Sequence, residues 1–294
     1  MQKEFSWQKR IFAAGIFARL QKRIPADWEK IMKIIISPAK RMEECGDLFE
    51  PGAPAVFLER TKLLLTILKG KSEGELKELF GANERITHEN FLRYAGMDLD
   101  RAQTPALLSY VGIQYQYMAP KLFSYEEWKY AKKHVRILSG FYGLLKPDTP
   151  VVPYRLEMQA KLAAGGAKNL YEFWGGSLSG ELEREEKELE RGEEREEERE
   201  ETGVILNLAS AEYSRAAEPY LSPKTRFVSC VFGSLKDGKV KVKATEAKMA
   251  RGEMVRYLAQ NQVKTIKEVR EFRALGFSFD AGRSRGDCLV FVKG

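Results

Sequence analysis

A mixed α/β fold in a single compact domain, with helices surrounding a mixed β-sheet, is predicted by three features of the chain. Short β-branched or apolar runs end at turn residues, amphipathic stretches with capping signatures lie between them, and an Asp237-Gly238 pair is suited to an antiparallel hairpin. Strands interleaved with helices call for a sheet, and the hairpin makes that sheet mixed.

Taken in order, residues 1–31 form a basic amphipathic leader in which Ile11, Phe12, Ile16, Phe17 and Leu20 stand among Lys9, Arg10, Arg19, Lys22 and Arg23 until Pro25 breaks it. It lacks the apolar run and small-residue cleavage pattern of a secretory signal. It is expected to lie outside the fold, with a helix resting on the body or on a partner as the alternative. Residues 32–294 form the domain. Ile34-Ile35-Ile36 is a central strand closed by Ser37-Pro38, with Lys40 at its exit. Val56 to Leu68 has helical spacing, Ser72-Glu73-Gly74-Glu75 reads as an N-cap before Leu76, Leu79 and Phe80, and short helices continue through Asn83–Tyr94. Ser124-Tyr125-Glu126-Glu127 is a capping box opening a helix that reaches about His134. Strands are predicted at Val135–Leu138, Val204–Leu208, Arg226–Phe232, Val240–Lys243 and Cys288–Val292, and helices at Ala247–Gln260 and Ile266–Arg273.

Hydrophobic content of 44% and charged content of 31% describe a soluble globular protein, and no run approaches the roughly 18 apolar residues of a membrane helix. No membrane role is expected. Cys45, Cys230 and Cys288 are odd in number and far apart, which argues against a disulfide framework and fits a reducing cytoplasm. The net charge of +7 conceals an asymmetry: residues 181–201 hold 13 Glu against five Lys and Arg, so the other 273 residues carry +15. That surplus suits a polyanion partner, if the cations share a face. The Glu-rich tract contains only Leu182 and Leu189 as apolar residues and reads as a low-complexity insertion, either a soluble spacer or an acidic decoy for the basic surface.

Polar and aromatic groups concentrate between Ile137 and Trp174. Ser139 and Tyr142 follow a strand, and Tyr154-Arg155-Leu156-Glu157-Met158 alternates so that Arg155 and Glu157 share one face if extended. Arg155 with Glu157 makes a ligand clamp or an ion pair that fixes the loop. Tyr142, Tyr154 and Trp174 offer stacking faces to bases, or belong to the core. Asn207, Ser210, Glu212 and Tyr213 follow another strand and are expected to converge with Ser37, Lys40 and Arg155 on one cleft. Lys40 is a phosphate ligand or an amine nucleophile, with Glu157 or Glu212 as general base. Lys248, Arg251 and Arg256 begin a helix that can receive a phosphate or simply face solvent. His88 and His134 lack ligand spacing, so neither a metal site nor a cofactor is expected.

Six strings in order, Ile36-Ser37-Pro38-Ala39-Lys40, Leu138-Ser139-Gly140-Phe141-Tyr142-Gly143, Tyr154-Arg155-Leu156-Glu157-Met158, Leu170-Tyr171-Glu172-Phe173-Trp174, Asn207-Leu208-Ala209-Ser210-Ala211-Glu212-Tyr213 and Ala250-Arg251-Gly252, resemble the YaaA family of peroxide-stress proteins. The resemblance covers about residues 32–294 without the Glu-rich tract. It implies a cytoplasmic bacterial protein that binds DNA, has a basic cleft and a helix-hairpin-helix element, and limits iron-driven oxidative damage; the chain itself is expected to be a monomer. The hairpin element would fall near Leu79–Tyr94, with Asn83, Glu84, Arg85, Asn90 and Arg93 at the matched positions. Here Asn83-Glu84-Arg85 stands where the family usually shows Ser-Asp-Lys, and no glycine-rich turn separates the helices. An enzyme processing damaged nucleic acid or nucleotides is the alternative function.

Overall fold

The computed structural model describes residues 32–46, 48–191 and 204–294; the expected leader and residues 192–203 of the Glu-rich tract lie outside the described residues. The main sheet is built from β1 (Met32–Ile36), β2 (Val135–Ser139), β3 (Gly143–Leu145), β4 (Val204–Asn207), β5 (Arg226–Lys236), β6 (Lys239–Lys241), β7 (Arg273–Ala274), β8 (Phe277–Phe279) and β9 (Cys288–Lys293). Its order is β7-β8-β9-β5-β4-β1-β2-β3, with β6 paired to β5. The five strands β9, β5, β4, β1 and β2 run parallel, and β3, β6, β7 and β8 add antiparallel margins. The mixed α/β class follows from this arrangement. β1 from Lys33 to Ile36 and all of β2 are buried, as expected for central parallel strands covered on both faces.

Ten helices are used below: α1 (Leu58–Lys69), α2 (Glu73–Phe80), α3 (Glu84–Ala95), α4 (Ile113–Met118), α5 (Tyr125–His134), α6 (Leu170–Trp174), α7 (Ser177–Arg191), α8 (Ala211–Ser214), α9 (Ala244–Gln260) and α10 (Ile266–Val269). Ser72 with Glu75 and Ser124 with Glu127 close reciprocal capping boxes, so α2 and α5 start where the sequence places them. α10 ends well short of the predicted Arg273, because Arg273 and Ala274 pair with Ser278 and Phe277 instead. Asp237 and Gly238 both take positive φ between β5 and β6, the backbone that a tight two-residue hairpin requires. α4 and α9 cross at Gly252, where an added Cβ would stand 2.0 Å from the Gln114 carbonyl oxygen.

The Glu-rich tract does not begin as an appendage. Leu178 and Leu182 of α7 are wholly buried, and the Glu183 carboxylate accepts from Ser222 N at 2.7 Å and Thr225 Oγ1 at 2.6 Å. Glu185 reaches under the sheet to Arg136 Nε at 2.6 Å, Lys146 Nζ at 3.4 Å and Lys33 Nζ at 3.6 Å. Leu182, Glu183 and Glu185 thus pack on the body of the domain. The reason is charge: Lys33 and Arg136, both buried on central strands, need a counterion that a neighbouring helix can bring.

Candidate functional site

In a parallel sheet the place for a ligand is beyond the carboxyl ends of the strands, where the chain switches from one side of a strand to the other. The chain leaves β1 for β2 on one side and later returns to β4 on the other, so that crevice lies between β1 and β4. Ser37 ends β1 and Ser210 follows β4, and they meet there: Ser37 Oγ accepts from Ser210 N at 2.8 Å and donates to Ser210 Oγ at 3.2 Å. Asn207 closes the β4 exit by accepting from Ala209 N at 2.9 Å and donating to Ser229 Oγ at 3.2 Å.

The polar stretch after β2 is a scaffold. Ser139 Oγ accepts from Phe141 N at 3.1 Å and Tyr142 N at 2.9 Å, and shares a 2.5 Å bond with the Tyr154 hydroxyl, which also bonds the Tyr110 hydroxyl at 2.8 Å. Tyr142 OH accepts from Val152 N at 3.1 Å, and Trp174 Nε1 donates to Gly140 O at 3.1 Å. Two glycines permit this packing: a Cβ at Gly140 would meet Leu156 O at 2.6 Å, and one at Gly143, where φ is +77°, would meet the Trp174 ring at 2.8 Å. Tyr142, Tyr154 and Trp174 are therefore enclosed and have no free face for a base, and Ser139 has no exposed surface. Of the two readings given for the three aromatics, the core reading describes their placement. Burial pushes the Tyr154 phenol up to about 12 against the pull of its Ser139 and Tyr110 bonds, so it stays neutral.

What the scaffold holds is the segment carrying Arg155 and Glu157. Tyr94 OH donates to Arg155 O at 2.8 Å and accepts from Arg155 N at 3.3 Å. Glu157 Oε1 takes both Arg155 Nη2 and Lys40 Nζ at 3.0 Å. Glu157 Oε2 and Arg155 Nε are buried without a protein partner. Alongside, Glu212 on α8 accepts from Gln159 N at 3.3 Å. Burial raises the Glu212 carboxyl and the nearby Glu157 adds to it, while the Gln159 amide, Lys40 and Arg215 oppose. Tyr213 is pushed up by burial and by Glu212, and lies inside the body with little exposed surface. The result is one exposed ammonium, one largely buried guanidinium and two carboxyls, one of them easily protonated. Such a group can hold an anion through its cations and move a proton through Glu212.

The remaining predicted residues divide. Lys40, Arg85 and Lys248 are exposed. Arg93 is committed to Glu89 at 2.8 Å and Asn90 Oδ1 at 3.1 Å, and it borders a cavity of about 480 Å³ that is also lined by Glu43, Glu44, Asp98 and Arg101. α2 and α3 are consecutive helices in contact, and Gly81 ends the first of them at φ +53°. Asn83 caps the amide of Ile86, and Glu84 opens the helix, so that N-terminus already has acceptors. Among the described residues, Arg251 on α9 makes no hydrogen bond or ion pair with the Lys40 group; burial lowers its guanidinium, and Cys230 acts against that. Sequence reading passed over Tyr94, Gln114, Gln159 and Arg215, and gave Tyr171 no partner. Tyr171 OH donates to Glu212 O at 2.9 Å and accepts from Arg215 Nη2 at 3.1 Å, contacts between segments far apart in the chain that no local pattern marks. Among the described residues, no three or more His, Cys, Asp or Glu gather as metal donors, and no helix is long and apolar enough to cross a membrane.

The family model described as peroxide stress protein YaaA matches residues 32–283. A UPF0246 protein of Lachnoclostridium phytofermentans is 48% identical over 263 residues, covering 90% of this chain and 97% of its own length. Those of Desulfitobacterium hafniense and Pediococcus pentosaceus are 46% and 43% identical over 262 residues, each covering 89% of this chain and 98% of their own length.

Proposed function

The chain belongs to the peroxide stress protein YaaA family, and from that premise we propose that it binds DNA through the strand-exit face around Lys40, limiting iron-driven damage during peroxide stress in the bacterial cytoplasm. The observation that carries this reading is Lys40 itself. Its ammonium remains 63% exposed at the carboxyl end of β1 while Glu157 steers it, so it is presented outward at the place where an α/β sheet binds ligands. With the tyrosines and Trp174 inside the body, contact is through cations and backbone rather than stacking. Lys40 with exposed Lys248 and Arg85 would supply phosphate contacts without reading base sequence.

Duplex binding measured against salt tests it. For Z phosphate contacts, log affinity should fall against log salt with a slope of about −0.9Z, and Lys40→Ala should weaken unrelated sequences equally and reduce Z by about one. Affinity independent of salt, or of Lys40, refutes the reading.

A second reading, processing of damaged nucleic acid, is favoured by the raised Glu212 carboxyl beside Glu157 and Lys40. An amine and an adjacent proton donor are the parts a Schiff-base reaction uses. Borohydride should then trap the chain on duplexes containing an abasic site, and Lys40→Ala should abolish the adduct; intact DNA with no adduct leaves binding alone.

A further inference from the structure

Arg251 is the structural anomaly that the cleft around Lys40 does not explain. Its Nε is buried without a partner, and among the described residues the guanidinium makes no hydrogen bond or ion pair. The largely buried Arg155 has Glu157, and the buried Arg136 has Glu185. Cys230, beside Arg251, cannot serve as counterion, because burial pushes its thiol far up and keeps it neutral. Arg251 as a whole is only partly buried, so water reaches its outer nitrogens while the enclosed Nε keeps no acceptor.

A second orphan lies at the same helix crossing. Gln114 is 7% exposed and its Nε2 is buried without an acceptor. Its backbone oxygen is the atom against which Gly252, the residue after Arg251, packs. The next residue of α4, Tyr115, donates to Ser37 O at 3.0 Å, which ties the crossing to the end of β1. By register Ile35, Asn207 and Ser229 are level across β1, β4 and β5, so Cys230 is level with Ile36 at that same edge of the sheet. Two donors without acceptors, one of them cationic, thus stand on touching helices at the ligand-binding end of the sheet.

We propose that Arg251 and Gln114 form an oxyanion subsite, distinct from the Lys40–Glu157–Arg155 group, that takes a phosphate monoester. A guanidinium fork and an amide donor on separate helices suit a group with several terminal oxygens and a charge that neutralises the arginine. A strand-end phosphate and a small phosphorylated ligand are two sources of that same chemistry.

Thermal unfolding and calorimetry of the full chain test the subsite, with inorganic phosphate compared against chloride at matched ionic strength. Phosphate should raise the melting temperature of the unaltered chain by mass action. Arg251→Met should melt no lower than the parent in chloride, since it removes an enclosed donor that has no acceptor, and should bind phosphate about tenfold or more weakly. Arg251→Lys keeps the charge without Nε and should lose a smaller part, as should Gln114→Leu. Lys40→Ala should keep the part of the phosphate response that Arg251→Met loses, which separates this subsite from the duplex-binding face. Competition by a 5′-phosphorylated but not a 5′-hydroxyl oligonucleotide identifies a strand end as the source; competition by a mononucleotide alone identifies a small ligand. Phosphate acting no differently from chloride, or acting fully in Arg251→Met, overturns the proposal.

Discussion

At the scale of residues, one oxygen decides the geometry around Lys40. Glu157 Oε1 faces two cations that differ in surroundings, Lys40 being 63% exposed and Arg155 only 11%. Removal from each side should therefore cost unequal amounts. Glu157→Ala leaves the Arg155 guanidinium largely buried without a counterion and should destabilise by about 3–5 kcal/mol in urea unfolding. Lys40→Ala removes a solvent-screened partner and should cost about 0–1 kcal/mol. Equal losses would show that Arg155 is better solvated than its enclosure implies. Much of this group was legible in the chain, because Arg155 and Glu157 alternate about one apolar residue and Lys40 and Glu212 follow strand-like runs. The fate of Tyr142, Tyr154 and Trp174 was not. Whether an aromatic ring near glycines faces solvent or the core depends on how closely a distant backbone approaches, and here Leu156 O and the Trp174 ring fill the space over Gly140 and Gly143.

At the scale of elements, α7 is held by a mechanism that titrates. Burial opposes ionisation of Glu185, but Arg136, Lys33 and Lys146 together outweigh it and hold the carboxyl below its usual range. A depressed carboxyl contributes stability that is present above its unfolded pKa of about 4.3 and is lost as pH falls through the lower, folded value. Glu185→Gln removes that contribution. The difference in unfolding free energy between the parent and Glu185→Gln should hold near neutral pH and shrink on acidification below about pH 4.3; a pH-independent difference would mean that the carboxylate does not carry the docking of α7. Local signals explain why α5 was readable from Ser124 to His134 and why α7 was not: a capping box is complete within four residues, whereas Glu185 gains its meaning from Lys33 and Arg136, which are on β1 and β2. The short margins β3, β7 and β8 share that limitation, since two or three residues define a strand only through the partner they pair with.

At the scale of the whole molecule, the charge distribution sets what the DNA-binding reading must satisfy. Residues 181–201 carry a net −8 while the rest carries +15, and the start of that tract is bolted to the body through Leu182, Glu183 and Glu185. The acidic residues that follow are therefore tethered to the cationic domain at a high effective concentration and act on it electrostatically whatever their conformation. Residues 192–203 include seven Glu against two Arg, so their deletion removes five negative charges and raises the net charge from +7 to +12 without touching the anchored residues. If the domain binds duplex DNA through exposed cations, this deletion should tighten binding at low salt. The gain should fade as the screening length shrinks to about 8 Å near physiological ionic strength and to about 3 Å at 1 M. Lys40→Ala in the deletion background should still lower affinity, because it removes a direct phosphate contact rather than a long-range field. A deletion that leaves low-salt affinity unchanged would place the tract beyond electrostatic reach of the binding face and leave it the part of a spacer.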